Sequence, residues 1–214
     1  MWRYIRFSIG TTLVAMFLLA CSLFSAIGGG VTVGPDEAAV VMDDTSGELE
    51  IYLPGSSFSY DGDTQTVSFY NLALQEYTLE DTDADGANAV AARTLDGQSI
   101  WLSVTVLYRI DPVQLRTVHI RWRDRYPADF VRPTMRGIVR DVAATYVAEQ
   151  IYGEDRITME DAMQDEISDA FAAEGFIVQD FLLREVRYTE AYAAQLEATA
   201  IFQLTEEAQT PTAP

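Results

Sequence analysis

Three aspartates in the middle of the chain have the spacing of calcium ligands. Asp81, Asp83, Asp85 and Gly86 match the first half of a calcium-binding loop, in which alternate carboxylates converge on one cation and glycine permits the sharp turn. The twelfth position of such a loop needs a bidentate glutamate, and in this chain that position is Ala92. We therefore predict no metal site and interpret the segment as a solvated acidic hairpin tip that folds without calcium.

The residue types that most often perform catalysis are scarce. The chain has one histidine, His119, one cysteine, Cys21, and no lysine. His119 has no serine or cysteine partner nearby in the sequence, and no glycine-rich phosphate loop or nucleophile elbow is present. Paired carboxylates remain the alternative for an enzyme, but abundant acids are expected in any chain with a net charge of −19. We predict no enzymatic activity, no catalytic residue and no cofactor.

Positive charge is concentrated only around Trp122, which lies among Arg121, Arg123 and Arg125. A basic-aromatic run of this kind is also found in proteins that bind nucleic acid or phosphate. The net charge of −19 argues against nucleic acid, because such binding needs a phosphate-neutralising patch. We expect these arginines to pair with carboxylates of the same chain or of a neighbour.

The first apolar segment, residues 7–27, has the length of a membrane span and contains no charged residue. In a helix with a rise of about 1.5 Å per residue it would cover about 30 Å, the thickness of the hydrocarbon layer. Arg3 and Arg6 precede it, and no positive charge follows until Arg93. We therefore predict a single-pass protein of the cell membrane, with residues 1–6 in the cytoplasm and the domain outside it.

Cys21 makes a cleaved leader a concrete alternative to this anchor. The stretch Leu18–Cys21 resembles the bacterial lipoprotein box, in which the cysteine becomes the lipid-modified N-terminus. Because the apolar run continues to Ile27, which a lipoprotein does not need, we prefer the uncleaved anchor. The corresponding alternative function is an extracytoplasmic lipoprotein that captures a ligand with Trp101, Trp122 and neighbouring aromatic residues.

Up to Ile110 the pattern predicts strands. Short apolar or alternating runs lie at 38–42, 48–53, 66–74 and 75–79, with turns at 43–47 and 54–55. An Asp-Gly turn at Asp96 then joins two arms of a further hairpin within 91–110. In the second arm the alternation predicts a set of core-facing residues, namely Ile100, Leu102, Val104, Val106 and Tyr108.

After Asp111 the pattern predicts mainly helices. The expected elements are a short helix with Val113, Leu115 and Val118 on its apolar face, a helix from Pro127 to Gly153, a helix capped by Thr158 that ends at Gly175, a strand over 176–188, a helix over 189–208 capped by Thr189, and a disordered end over 209–214. The predicted fold class is α+β, with a mixed or antiparallel sheet and packed helices.

The order of these elements resembles the SPFH domain, also called the band-seven or prohibitin-homology domain. The most telling parts are the turn Thr94–Gly97 with its long following strand, and the exit from a helix at Gly175–Val178. The resemblance extends from Val33 to Glu197, and we assign the domain to residues 33–188. It implies no enzymatic activity but a scaffold that assembles on a membrane, organises proteins there and in some cases restrains a membrane protease.

Members of that family usually continue into a long coiled coil, whereas the helix 189–208 is shorter than the three or four heptads that a stable coiled coil needs. We therefore expect a smaller or side-by-side assembly of copies through the domain. The final helix would aid it through the face formed by Tyr192, Leu196, Ala200 and Leu204. The predicted partners are the bilayer, further copies of the chain, and a membrane protein such as a protease.

Overall fold

The computed structural model of the chain describes residues 30–80, 88–153 and 155–209. These residues form two compact units, an N-terminal unit that ends at Asn71 and a C-terminal unit that begins at Leu72. Both units contain antiparallel sheets, and helices accompany the sheet of the second. The α+β class is therefore confirmed, and every strand pairing among the described residues is antiparallel.

Three predictions fall on residues that the structure does not describe. The apolar segment 7–27, the calcium-like segment 81–86 and residues 210–214 of the predicted disordered end lie outside the described ranges, while Gln209 is the last residue of a helix. Within those ranges, none of the helices combines the length and the apolar character that crossing a bilayer requires. The described residues also contain no group of His, Cys, Asp and Glu side chains that could hold a metal ion.

Five short strands build the N-terminal unit: β1 (Val31–Thr32), β2 (Glu37–Asp43), β3 (Leu49–Tyr52), β4 (Ser57–Phe58) and β5 (Gln65–Asn71). Strand β2 lies between β3 and β5, and β1 pairs with β4. The predicted β2–β3 hairpin is confirmed, since Gly47 takes a positive φ of 72° at its turn. The side chain of Asp43 accepts hydrogen bonds from the backbone N–H groups of Thr45 and Ser46, which stabilises that turn.

One long strand organises the sheet of the C-terminal unit, whose strands are β6 (Gln75–Leu79), β7 (Val90–Arg93), β8 (Ser99–Ile110) and β9 (Phe176–Tyr188). Strand β9 pairs with β8 along one side, while β6 and β7 pair with successive parts of β8. The predicted inward face of β8 is confirmed, because its five apolar side chains are at most 1% exposed.

The helices of this unit are α1 (Leu115–Arg121), α2 (Arg132–Ala143), α3 (Ala148–Tyr152), α4 (Arg156–Ala172) and α5 (Glu190–Gln209). Short 3₁₀ turns at Pro112–Gln114 and Arg123–Arg125 flank α1, and a π-helical turn at Pro127–Val131 leads into α2. Helices α2 and α4 each bury one face. The fully buried side chains on these faces include Met135 and Val139 on α2, and Met159, Met163, Ile167 and Phe171 on α4.

The single helix predicted from Pro127 to Gly153 is wrong, because the chain is interrupted between α2 and α3. The cause is a contact with the β7–β8 turn. The N–H of Leu95 donates to the carbonyl of Tyr146 at 2.8 Å, and the N–H of Ala148 donates to the Asp96 carboxylate at 3.0 Å. These bonds replace helical ones, and Val147 takes an extended conformation with φ −81° and ψ 142°.

Two further details of the helices differ from the prediction. Helix α4 begins at Arg156, so Thr158 lies in its first turn and is not its cap. The earlier start buries Met159 and lets Arg156 reach backbone carbonyls of β9. Val113 is 89% exposed, whereas Leu115 and Val118 are buried as predicted. Residues two apart project about 200° apart on a helix, so Val113 and Leu115 do not share a face.

Candidate interaction surfaces

A row of arginines on α2 binds the start of β7. Arg136 Nη2 donates to the carbonyl of Asn88 at 2.9 Å, and Arg140 Nε donates to the carbonyl of Ala91 at 3.0 Å. Arg132 reaches the side chain of Asn88. The sequence places these three arginines beside the apolar stripe of the helix, and the structure shows that they bind β7. Carbonyls bound in this way are not available to an added strand.

On the other side of β8, helix α4 binds the backbone of β9 next to an irregularity in the β8–β9 register. Arg156 Nη2 donates to the carbonyls of Leu183 and Arg184 at 3.0 and 3.1 Å. The N–H of Leu183 donates to the Glu160 carboxylate at 2.7 Å. Charged helix side chains therefore bind one carbonyl of β7 and three backbone groups of β9, which leaves fewer groups of these strands for strand addition.

The turn Thr94–Gly97 has a structural role. The Thr94 hydroxyl donates to the Asp96 carboxylate at 2.6 Å and accepts from the N–H of Gln98, while Gly97 takes a φ of 81°. Asp96 also accepts from the first N–H of α3, where Val147 has no side-chain oxygen to act as a cap. The Thr94 hydrogen bond is the main cause that lowers the pKa of Asp96, and the Ala148 N–H lowers it further.

The basic cluster pairs within the chain, as predicted, at two of its three arginines. Arg121 forms an ion pair with Glu174, and Arg125 lies 3.4 Å from Asp129. Arg123 is exposed and takes a positive φ of 53°, which is unusual for a residue with a side chain. His119 is only 4% exposed. Its burial, and then the charge of Arg123, lower the pKa of His119, so the imidazole is neutral at physiological pH.

The two tryptophans proposed to capture a ligand lie in different surroundings. Trp122 Nε1 donates to Glu174 at 3.1 Å, and its ring lies 5.1 Å from that of Phe130. Trp101 lines an open pocket of about 450 Å³ together with Arg93 and Arg140. Trp122 is not among the residues that line this pocket. This pocket therefore does not contain both tryptophans, although it does place Trp101 beside two arginines.

Sequence reasoning missed several strongly exposed apolar side chains in the C-terminal unit, three of them on or beside α1 and α4. Val113 is 89% exposed, Ile157 70% and Ile120 63%. A signal for two of them is present in the sequence, because Val113 lies two residues before buried Leu115 and Ile157 two residues before buried Met159. On a helix that spacing sets the earlier residue on the opposite side from the core.

The final helix begins as predicted. The N–H of Tyr192 donates to the hydroxyl of Thr189 at 3.4 Å, which is the expected cap. The Tyr192 ring lies 5.7 Å from that of Tyr188, at the end of β9. Tyr192 and Leu196 are half-buried, while the side chains of Ala200 and Leu204, the rest of the predicted face, lie outside the described ones.

A family model described as "SPFH domain / Band 7 family" matches residues 31–213 of the chain. The match covers all five strands of the N-terminal unit and every described element of the C-terminal unit. It also covers the turn Thr94–Gly97 and the helix exit at Gly175, from which the resemblance was inferred. A comparison with curated proteins gives no match.

Proposed function

We propose, since this chain belongs to the SPFH domain / Band 7 family, that it is a membrane-anchored scaffold which assembles with copies of itself and organises or regulates membrane proteins. A membrane protease is one candidate among those proteins. The observation that carries the proposal is the family match over residues 31–213, because the family is associated with membranes and its members are scaffolds.

Three features of the C-terminal unit support this proposal. Helix side chains bind backbone groups of β7 and β9, which leaves fewer groups of these strands for strand addition by a partner. Several large apolar side chains are exposed on the surface of this unit. Helix α5 has 20 residues, and most of its described side chains are exposed, so a neighbouring chain can contact it.

Native mass measurement of the full chain in mild detergent tests the assembly directly. We expect more than one copy per particle at low salt, and fewer copies per particle at high salt. The reason is that exposed ion pairs are individually weak and are screened by salt. If the chain stays monomeric at high concentration in every condition, it cannot act as a scaffold by self-assembly, and the ligand-binding lipoprotein becomes the better proposal.

The proposed location needs a separate test. From the sequence pattern around residues 7–27 we expect the domain to lie outside the cytoplasm. Protease added to intact spheroplasts should therefore digest the domain. If digestion occurs only after lysis, the orientation is reversed.

A second candidate function has one observation in its favour, the pocket beside Trp101. The two arginines that line it, Arg93 and Arg140, suit an anionic group, and the indole suits a flat apolar one. Trp101→Phe should abolish any ligand-dependent change in fluorescence if this pocket binds small molecules. Unchanged fluorescence of the full chain across a set of small anionic and aromatic compounds would exclude this candidate for those compounds.

A further inference from the structure

One side of the segment that contains α1 is both apolar and basic. Val113, Arg116 and Ile120 are spaced three and four residues apart, so they project from the same side. Val113 is 89% exposed and Ile120 63%, and Arg116 is exposed between them. Arg123 is exposed immediately after the helix, and its charge acts on His119. We call Val113, Arg116, Ile120 and Arg123 the basic face.

A side of α4 has the opposite charge. Ile157, Asp161 and Asp165 follow one another at intervals of four residues, which aligns them along the helix. Ile157 is 70% exposed, and both aspartates are exposed. We call these three residues the acidic face. Among the described residues, Val113 and Ile157 are the two most exposed large apolar side chains, and each lies on one of these faces.

Val113 and Ile157, the most exposed apolar residues of the two faces, lie near opposite ends of α4. The side chain of Gln114 donates to the carbonyl of Ala172 at 3.4 Å, and Arg121 pairs with Glu174, so the basic face lies near the C-terminal end of α4. The acidic face begins at the second residue of the helix. Since α4 has 17 residues, its ends are about 25 Å apart. Val113 and Ile157 of one chain therefore lie far apart, but those of two chains can meet.

The net charge limits where two copies of this chain can touch. Copies that each carry −19 repel one another, so a stable contact needs local complementarity. The basic face combines exposed arginines with exposed apolar side chains, and the acidic face of a second copy matches it in both respects.

We propose that the basic face of one copy docks on the acidic face of the next, head to tail. Such a contact is heterologous, because two different surfaces meet, and it can therefore extend to further copies. Two single helix faces form a small interface, which is expected to be weak in solution. Attachment to one membrane raises the effective concentration of the copies and strengthens the contact. The inference rests on the proposed self-assembly and names the surfaces that would carry it.

Cysteine cross-linking in membranes that carry the full chain tests the pairing of the two faces. The chain has a single cysteine, so the unaltered chain sets the background from Cys21. We expect a chain with both Val113→Cys and Ile157→Cys to give a ladder of linked copies with a short bis-maleimide. Two chains that each carry one of these substitutions should give only dimers when expressed together, and neither should give dimers alone.

Charge reversal in the double-cysteine chain then tests the complementarity. Arg116→Glu with Arg123→Glu should abolish the ladder, and so should Asp161→Arg with Asp165→Arg. All four substitutions in one chain restore opposite charges and should restore the ladder. Arg93→Glu with Arg187→Glu changes the net charge by the same amount as the first pair, away from both faces, and should leave the ladder intact. Circular dichroism confirms that each variant is folded.

The outcomes separate this inference from the proposed function. If native mass measurement shows assemblies but the double-cysteine chain gives no ladder, the pairing is wrong and the scaffold stands. Dimers from Val113→Cys alone would show a symmetric contact and would also overturn it. If the reversed arginines reduce only the binding of anionic lipid vesicles, the basic face binds lipid and the inference fails. If the unaltered chain is monomeric, the proposed scaffold function is wrong as well.

Discussion

In the N-terminal unit four of the buried side chains form a small cluster, whereas in the C-terminal unit five buried aromatic rings meet. The first cluster consists of Val33, Ala39, Val41 and Phe58. The second consists of Tyr108, Tyr126, Phe130, Phe171 and Phe176, with centroid distances between 5.1 and 6.4 Å. Since burial of apolar area is the main source of folding free energy, the C-terminal unit has the larger reserve of stability.

The stability of the N-terminal unit depends more on contacts between side chains near its surface. Phe58 stacks on Tyr52 at 4.4 Å, and the next ring, Tyr60, is 45% exposed. Its turns are held by short polar contacts such as those of Asp43. We therefore expect the N-terminal unit to open more readily than the C-terminal unit. Hydrogen exchange of the full chain in mild detergent, followed by mass spectrometry, reports on each unit separately.

The largest difference is expected from removing one aromatic ring in each unit. Phe171→Ala should destabilise the C-terminal unit by about 3–5 kcal/mol, because Phe171 is fully buried and three neighbouring rings hold the cavity open. Phe58→Ala should cost the N-terminal unit about 2–3 kcal/mol, since a small cluster bordered by partly buried side chains can collapse around the gap. Equal increases in exchange rate in the two units would contradict the comparison.

Two glycines at positive φ, one in each unit, allow a second comparison of the stability of the two units. Gly175 has φ 91°, and a Cβ there would lie 3.0 Å from Val118 Cγ2 and 3.3 Å from the carbonyl oxygen of Gln114. Gly175→Ala should therefore cost about 2–4 kcal/mol, from backbone strain and crowding together. Gly55 in the N-terminal unit has φ 79° and open space around it.

Gly55→Ala is the matched control for Gly175, because it adds backbone strain without a clash. It should cost only about 1–2 kcal/mol. Urea unfolding of both variants gives the two values. If Gly175→Ala proves no more costly than Gly55→Ala, the close approach between the exit of α4 and the start of α1 has little energetic weight.

Acid should weaken both units through one carboxylate in each. Backbone and side-chain hydrogen bonds from Ser46, and then the Thr45 N–H, lower the pKa of Asp43, and the Thr94 hydroxyl is the main cause that lowers the pKa of Asp96. A lowered pKa in the folded state stabilises the fold above the ordinary value of 3.8, and this stabilisation is lost as the pH falls through the folded pKa.

Asp43→Asn and Asp96→Asn test this loss. Each variant should unfold at lower urea than the unaltered chain at pH 6. The difference should shrink as the pH falls below 3.8 and through the lowered pKa of the folded carboxylate, because the unaltered side chain then also loses its charge. A difference that is independent of pH would show that the hydrogen-bond geometry matters and the charge does not.

The comparison also explains which features the sequence could predict. Strands β2, β3 and β8 follow from local alternation, because a period of two residues fixes which side chains face inward. The interruption between α2 and α3 is caused by Asp96, which lies 52 residues from its partner Ala148. A local pattern contains no information about such a bond, so the helix was predicted as continuous.

On the candidate surfaces, the pairing of charged side chains could be predicted from the sequence, whereas the exposure of apolar side chains could not. The pairing of Arg121 and Arg125 within the chain followed from the excess of acids. The sequence predicts Val113 on the apolar face of the helix, and this prediction is wrong. Val113 lies two residues before buried Leu115, so the two side chains project from opposite sides of a helix. In a helix of only one or two turns, too few residues are present for the apolar period to show which side faces the core.

The smallest effect concerns the cap of α5, at the end of the C-terminal unit. The hydrogen bond from the Tyr192 N–H to the Thr189 hydroxyl is long, at 3.4 Å, so Thr189→Ala should cost about 0.5 kcal/mol, the low end for a cap. Exchange should rise in the first turn of α5 and stay unchanged in β8 and β9, because most of the described side chains of α5 are exposed. Thr199→Ala is the matched control.

The hydroxyl of Thr199 donates to the carbonyl of Gln195 at 3.0 Å, a bond within the helix that does not cap it. Alanine has the higher helix propensity, so this control should leave α5 as stable or make it more stable. Opposite signs for the two threonines would show that α5 depends on its own cap and not on packing against the sheet. If Thr189→Ala instead raised exchange throughout β9, the Tyr188–Tyr192 contact would couple the helix to the core, and α5 would belong to the stable part of the C-terminal unit.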